Sequence, residues 1–143
     1  MTVKAILSQK GYDVATIEPT ATLSAAVKQL AQRRIGALVV TGADRRVVGI
    51  VSERDIVHEL AAHGAASLDL PLTDVMTREV VTCRISDTVT SVMERMTAGK
   101  FRHLPVVEQG RLAGIVSIGD VVKHRLEDME REQSAMRDYI QTA

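Results

Sequence analysis

An α+β fold built from two β-α-β-β-α repeats is what this chain of 143 residues predicts, on three observations. The sequence is internally duplicated. Each copy pairs a helix-period apolar stripe with two short apolar strands. The second of those strands reads Gly-Ile-Val-Ser in both copies and is followed by an aspartate, Asp55 in the first and Asp120 in the second.

Setting residues 14–40 above residues 80–106 brings Val14, Thr16, Thr22, Leu38 and Val40 onto identical residues. One position is lost in the following turn, and residues 46–57 then align with 111–122. The repeat length of about 65 residues gives an expected division: repeat one at 5–64, a linker and lead-in at 65–76, repeat two at 77–126 and a helical extension at 127–143.

A short β segment opens each copy, at 15–17 and at 81–83. Polar residues at 20–22 and 86–88 offer side-chain oxygens to the free N–H groups of a helix start. Leu23, Ala26, Val27, Leu30 and Ala31 fall at i, i+3, i+4, i+7 and i+8, as do Val89, Val92, Met93, Met96 and Thr97, so each helix should bury one stripe. Strands follow at 37–41 and 47–51, and again at 104–107 and 112–116, joined by the turns GADRR and EQGR. Ser52 and Ser117 stand where the second helices begin. Pro71 and the small residues of 64–74 predict a linker rather than unbroken helix. Beyond Asp120 the pattern stays helical, and Val122, Leu126, Met129, Gln133, Met136 and Ile140 are spaced 4, 3, 4, 3 and 4 residues apart. This heptad-like seam with one polar member points either to a partner helix, a dimer contact being favoured, or to packing on its own domain.

The 18 basic and 18 acidic side chains cancel, leaving no overall field for DNA or an acidic membrane face. Any anion site must be local. Aromatic residues make up 2% of the chain, so stacking platforms for single strands are missing and nucleic acid is not an expected partner. Cys83 is the single cysteine and can form no internal disulfide. No apolar run has the length of a signal peptide or membrane span, and a cytoplasmic protein without a membrane partner is expected.

GIVSERDIV (49–57) and GIVSIGDVV (114–122) resemble the Gly-h-h-Ser/Thr-x-x-Asp-h-h signature of CBS domains, where h is apolar. HLPVV (103–107) is similar to their second strand, and DVMT (74–77) to their lead-in. The likeness covers both copies, residues 5–124. It implies a stand-alone tandem pair, or Bateman module, with repeats packed through their sheets about a pseudo-twofold axis. Two clefts between the repeats would take adenosine-containing ligands: AMP, ADP, ATP or NAD, and less readily S-adenosylmethionine. The resemblance further implies flat homodimers and a regulatory role, energy or redox sensing, exerted on an unidentified protein.

Carried onto this chain, one cleft uses Ser52, Arg54 and Asp55 from copy one with Thr82, Arg102 and His103 from copy two. The other uses Ser117 and Asp120 with Thr16 and Ala37. The two are unequal, because Ile35, Gly36 and Ala37 stand where copy two has Phe101, Arg102 and His103, and Gly119 stands in the place of Arg54. An ionised Asp55 or Asp120 only accepts hydrogen bonds, which suits the paired hydroxyls of a ribose. The helix starts bring unpaired N–H groups to oxygen acceptors. Backbone edges at Thr16, Ile17, Thr82 and Cys83 would flank an apolar slot for adenine. Phosphate would fall to Arg102 and His103, with Lys100 and Arg54 as secondary cations, and Arg102 leads because its planar fork holds two oxygens at once. The second cleft lacks those cations and is left for a nucleoside, the far end of a dinucleotide, or nothing.

The same residues carry simpler readings. Ser-x-x-Asp before an apolar run is a capping box, a basic cluster at a strand start is commonly just solvated, and threonine suits strands. Arg33, Arg34, Arg45 and Arg46 are expected to face solvent. Catalysis finds little support, and a small hydrolase or transferase is the weakest of the readings. His58 and His63 are five residues apart, about 140° around a helix, and do not converge on a metal. Cys83 has no base nearby in sequence, and no phosphate-binding loop, dinucleotide fingerprint or nucleophile elbow occurs. The expectation is a non-enzymatic adenine-nucleotide sensor with no metal and no catalytic cofactor. Its competitor is a ligand-free structural or protein-docking dimer module.

Overall fold

In the computed structural model, which describes residues 1–142, the chain runs through a helix that sequence reading left out, α1 (Val3–Lys10), and then the two copies. Copy one holds β1 (Thr16–Ile17), α2 (Leu23–Arg33), β2 (Ala37–Thr41), β3 (Val47–Ser52) and α3 (Glu53–His63). Short 3-10 turns over Ala65–Asp69 and Leu72–Asp74 make the link. Copy two holds α4 (Val89–Gly99), β4 (His103–Glu108), β5 (Arg111–Ser117) and α5 (Ile118–Thr142).

The two copies fold for the same local reasons. Thr22 and Thr88 cap α2 and α4, their hydroxyl oxygens accepting the N–H of Ala25 and Ser91 at 3.2 and 3.1 Å. One such cap is worth about 1 kcal/mol. The apolar stripes bury Leu23, Ala26 and Leu30 on α2 and Val89, Val92 and Met96 on α4. They are narrower than the spacing predicts, for Ala31 and Thr97 are exposed. Both helices end on a left-handed residue, Arg34 (φ 55°) and Lys100 (φ 56°), a place where glycine is the ordinary choice.

β2 and β3 form an antiparallel hairpin with Ala37 opposite Ser52, and β4 and β5 repeat it with His103 opposite Ser117. β1 adds a parallel strand to the first sheet through Thr16 and Ile17. The matching segment of copy two, expected as a strand at 81–83, is reduced to a single bridge from Cys83 to Val106, so the second sheet has two strands. The repeats meet where the strands start. Gly36 lies against His103, with room for a Cβ only 3.3 Å from the imidazole Cε1. Hydrogen bonds recur across the pseudo-twofold: Glu53 N–H donates to the Gly36 carbonyl at 3.0 Å, and Ile118 N–H to the Arg102 carbonyl at 2.8 Å. At the other end Arg45 Nε donates to the Leu112 carbonyl at 3.2 Å, tying the hairpins together.

The segments that lead into each copy are exchanged between the cores. α1 precedes copy one yet buries Val3, Ile6 and Leu7 among Val89, Val92, Leu104 and Val116 of copy two. The turn before copy two buries Leu72 and Met76 among Leu23, Leu38 and Val51 of copy one. The glycines of the two Gly-Ile-Val motifs make room for this crossing. A Cβ on Gly49 would sit 2.5 Å from the Met76 sulfur, and one on Gly114 would sit 3.0 Å from Leu7.

Candidate functional site

Ser52 and Asp55 form a reciprocal capping box on α3: Asp55 Oδ2 accepts from Ser52 N–H at 2.9 Å, and Ser52 Oγ accepts from Asp55 N–H at 3.3 Å. Ser117 and Asp120 repeat it on α5, at 2.9 and 3.1 Å. The simple reading of these pairs therefore holds in both copies, and it leaves a second carboxylate oxygen on each aspartate. On Asp55 that oxygen meets only the Thr77 hydroxyl, at 3.4 Å.

Asp55 faces a cleft of about 710 Å³ that is lined from both copies. Ser52, Arg54 and Asp55 come from copy one, and Lys100, Arg102 and His103 from copy two. Six of the residues expected in one ligand site are thus brought to one hollow. Ile35, Ile50, Val80, Val81 and Phe101 supply its apolar wall. Val81 stays 44% exposed in the free chain, leaving apolar surface for a flat ring to cover.

Thr82 and Thr16 line neither cleft. Val81 and Ala15, one residue earlier and equivalent under the repeat, line them instead. Neighbouring residues of an extended segment point to opposite faces, so a one-residue offset selects the other side. The threonine carbonyls brace the helices, accepting from Gln29 Nε2 at 3.1 Å (Thr16) and Arg95 Nη1 at 3.0 Å (Thr82).

The charges differ from expectation in three ways. Arg34 is exposed but lines the first cleft, on the strength of its left-handed backbone, beside its pseudo-equivalent Lys100. Arg54 reaches across the repeats and donates to the Lys100 carbonyl at 2.8 Å, so part of its fork is a strap over the mouth. His103 is a weaker base than a free imidazole: burial first, and then the Lys10 ammonium, lower its pKa. Cationic charge in this cleft comes from Arg34, Arg54, Lys100 and Arg102, set against Glu53 and Glu79.

The second cleft, about 560 Å³, is lined by Ala37 and Ser117 as expected, and His103 forms part of its wall too. It does not lack cations. Arg33 lines it, and so does Lys10 of α1. Lys10 donates to Asp120 Oδ2 at 2.5 Å and to the Ile115 carbonyl at 2.8 Å. Burial alone would raise the Asp120 pKa; the Lys10 and Ser117 hydrogen bonds outweigh it and hold the carboxyl below its usual range. Sequence spacing carried no sign of this pair, whose members lie 110 residues apart. Among the described residues no group of three or more His, Cys, Asp or Glu side chains could hold a metal ion. Among the same residues no helix is long and apolar enough to cross a membrane.

The family model of the CBS domain matches this chain twice, at residues 3–62 and 72–127. The chain belongs to the CBS domain family. The first match begins at α1, ahead of the likeness read from the motifs. A CBS domain-containing protein of Arabidopsis thaliana, CBSX3, described as mitochondrial, is 35% identical over 84% of this chain, which spans 60% of that protein's length. A crystal structure of a CBS-domain containing protein from Agrobacterium tumefaciens superposes with TM-score 0.84 at 50% identity, covering 87% of this chain and 99% of that one. A CBS domain protein from Pyrobaculum aerophilum, solved in complex with AMP, gives TM-score 0.75 at 31% identity, covering 84% and 89%. A CBS domain pair solved with 5'-methylthioadenosine and S-adenosyl-L-methionine gives 0.80 at 26%, covering 90% and 98%. The α+β architecture of tandem repeats with a C-terminal helix is that of these pairs.

Proposed function

We propose that this protein is a cytoplasmic, non-catalytic regulatory module, working as a homodimer, that senses an adenosine-containing ligand in the cleft between Asp55 and Arg102 and passes its occupancy to a regulated protein. The observation that carries the reading is the convergence of Ser52 and Asp55 of one copy with Arg102 and Lys100 of the other on one apolar-walled hollow. The free oxygen of Asp55 suits a ribose hydroxyl, the aliphatic wall suits a purine, and the Arg102 fork suits a phosphate. AMP is the first candidate, and ADP, ATP and NAD extend the same charge. S-adenosylmethionine, with a sulfonium and no phosphate, would leave the cations unused. Relatives solved with AMP and with S-adenosylmethionine support the adenosine part of this reading. A buried, free Cys83 fits a reducing compartment. Occupancy acts on a partner only through unequal affinity for two poses of the repeats or of the dimer.

Calorimetric titration with AMP, ATP, NAD and S-adenosylmethionine tests it. Saturable binding of a phosphorylated member is expected, weakened by at least tenfold in Asp55→Ala and Arg102→Ala and unchanged in Arg46→Ala, whose side chain lies outside the cleft. No heat from any of the four would leave the docking module standing.

A further inference from the structure

The last helix of the chain is longer than its module needs. α5 runs 25 residues, from Ile118 to Thr142, about 37 Å at 1.5 Å per residue. Its buried residues are Val121 and His124, both in the first two turns. From Val122 onward the helix carries apolar side chains that the described residues leave about half exposed or more. Val122 is 47% exposed, Leu126 54%, Met129 47%, Met136 60% and Ile140 65%. Together with Gln133 they form the 4-3 seam of a coiled coil, and a helix exposing such a seam is marginal in water without a partner.

The charges beside the seam say which partner. With Leu126, Gln133 and Ile140 at a positions and Val122, Met129 and Met136 at d, the flanking e positions hold Lys123, Glu130 and Arg137, and the g positions Arg125 and Glu132. In a parallel, in-register pair a g residue lies beside the e residue five places on in the other helix. Arg125 then meets the partner's Glu130, and Glu132 meets the partner's Arg137, each twice by symmetry. In a fully overlapped antiparallel pair e faces e and g faces g. Lys123 then meets the partner's Arg137, Glu130 the partner's Glu130, and Glu132 the partner's Glu132, all of like sign. Among the described residues, Arg125, Glu130, Glu132 and Arg137 enter no ion pair within the chain. Gln133 decides in the same direction. In the parallel pair its amide meets its own copy and both donor and acceptor are used, whereas in the antiparallel pair it faces Met129.

We infer that α5 joins two copies of this chain as a parallel, in-register coiled coil along Val122, Leu126, Met129, Gln133, Met136 and Ile140. This rests on the homodimer proposed above and specifies its face and direction. It sets the two modules side by side with their α5 starts, and hence their second clefts, at the same end of the assembly.

Sedimentation and disulfide trapping of Gln133→Cys test the inference on the full chain, with Cys83 buried and out of reach. A dimer that air oxidation locks covalently through position 133, and that reducing agent releases, is the expected result. Glu130→Arg should weaken association by roughly tenfold, two attractive contacts becoming repulsive, and Glu130→Arg with Arg125→Glu should restore it. These side chains are exposed, so the variants keep their fold, which an unchanged melting curve of each charge variant combined with Gln133→Cys and oxidised would verify. A monomer at all concentrations overturns the homodimer itself. A stable dimer that forms no Gln133→Cys disulfide, or one indifferent to Glu130→Arg, overturns the coiled coil and leaves a dimer built on another face.

Discussion

Lys10 and Asp120 pair beside the second cleft: the ammonium sits 2.5 Å from Asp120 Oδ2, the oxygen that also caps α5, while Asp55, the equivalent acid, is met only by Ser52 and Thr77. Thr77 offers Asp55 only a hydroxyl, at 3.4 Å, where Lys10 offers Asp120 an ammonium, so the lysine is one thing that makes the two clefts unlike.

Lys10→Met removes the ammonium at a similar side-chain length and should release Asp120. Ligand stoichiometry in a calorimetric titration is expected to rise from one to two per chain. The pair is partly exposed, so its loss should lower stability at neutral pH by about 1 kcal/mol or less. A depressed carboxyl pKa stabilises the fold above the ordinary carboxylate range and loses that contribution as pH falls through the depressed value. The gap between wild type and Lys10→Met should therefore shrink in acid, as urea midpoints between pH 7 and 3 would report. Unchanged stoichiometry would show that Lys10 does not gate the cleft.

His103 forms a wall of both clefts and faces Lys10, Asp120, Glu53 and Arg102. Its folded pKa is lowered, so above its ordinary value of 6.5 the ring is neutral in both states and contributes nothing to pH dependence. Below that value the unfolded chain binds the proton first, and stability falls as pH drops toward the folded pKa. One such group gives a slope of at most about 1.4 kcal/mol per pH unit. His103→Gln should flatten the stability profile just below pH 6.5. An identical slope in both proteins would remove His103 as its source.

How much of this was legible in the chain depends on how local the cause was. Ser52, Asp55, Ser117 and Asp120 were readable because a capping box spans four consecutive residues and the duplication printed it twice. Arg102 and Lys100 were readable because the family pattern carries the strand start to the opposite repeat's acid. α1 was not, since Val3, Ile6 and Leu7 make too short a stripe to announce a helix, and the core they enter lies some eighty residues on. The roles of Lys10 and Arg34 were hidden for a related reason. One depends on that exchanged helix, and the other on a left-handed backbone that arginine does not advertise.

The exchange of lead-ins makes Gly49 a packing residue. A methyl there would overlap the Met76 side chain and come within 3.1 Å of the Thr77 carbonyl, which accepts from Ile50 N–H at 3.0 Å while Thr77 N–H donates to the Ile50 carbonyl at 2.9 Å. Gly49→Ala should destabilise by about 1–3 kcal/mol, the usual range for overpacking. Gly114→Ala meets only the far end of Leu7 and should be milder. Urea unfolding of the pair measures the difference, and equal losses would argue against the backbone contact as the cause.

Cys83 decides whether redox sensing runs through sulfur. It is 2% exposed, pairs its backbone with Pro105 and Val107, and burial, then Asp87, pushes its thiol up to about 12. At pH 8 its thiolate fraction is roughly three orders of magnitude below that of a free cysteine. A maleimide or disulfide reagent should label it only as fast as the chain opens, with rates that rise with urea and fall when ligand is bound. Rapid labelling of the folded protein would instead make Cys83 an exposed, reactive thiol and would give a redox role a second route besides a bound dinucleotide. Slow labelling would remove the Cys83 thiol as a redox-responsive group of the folded protein.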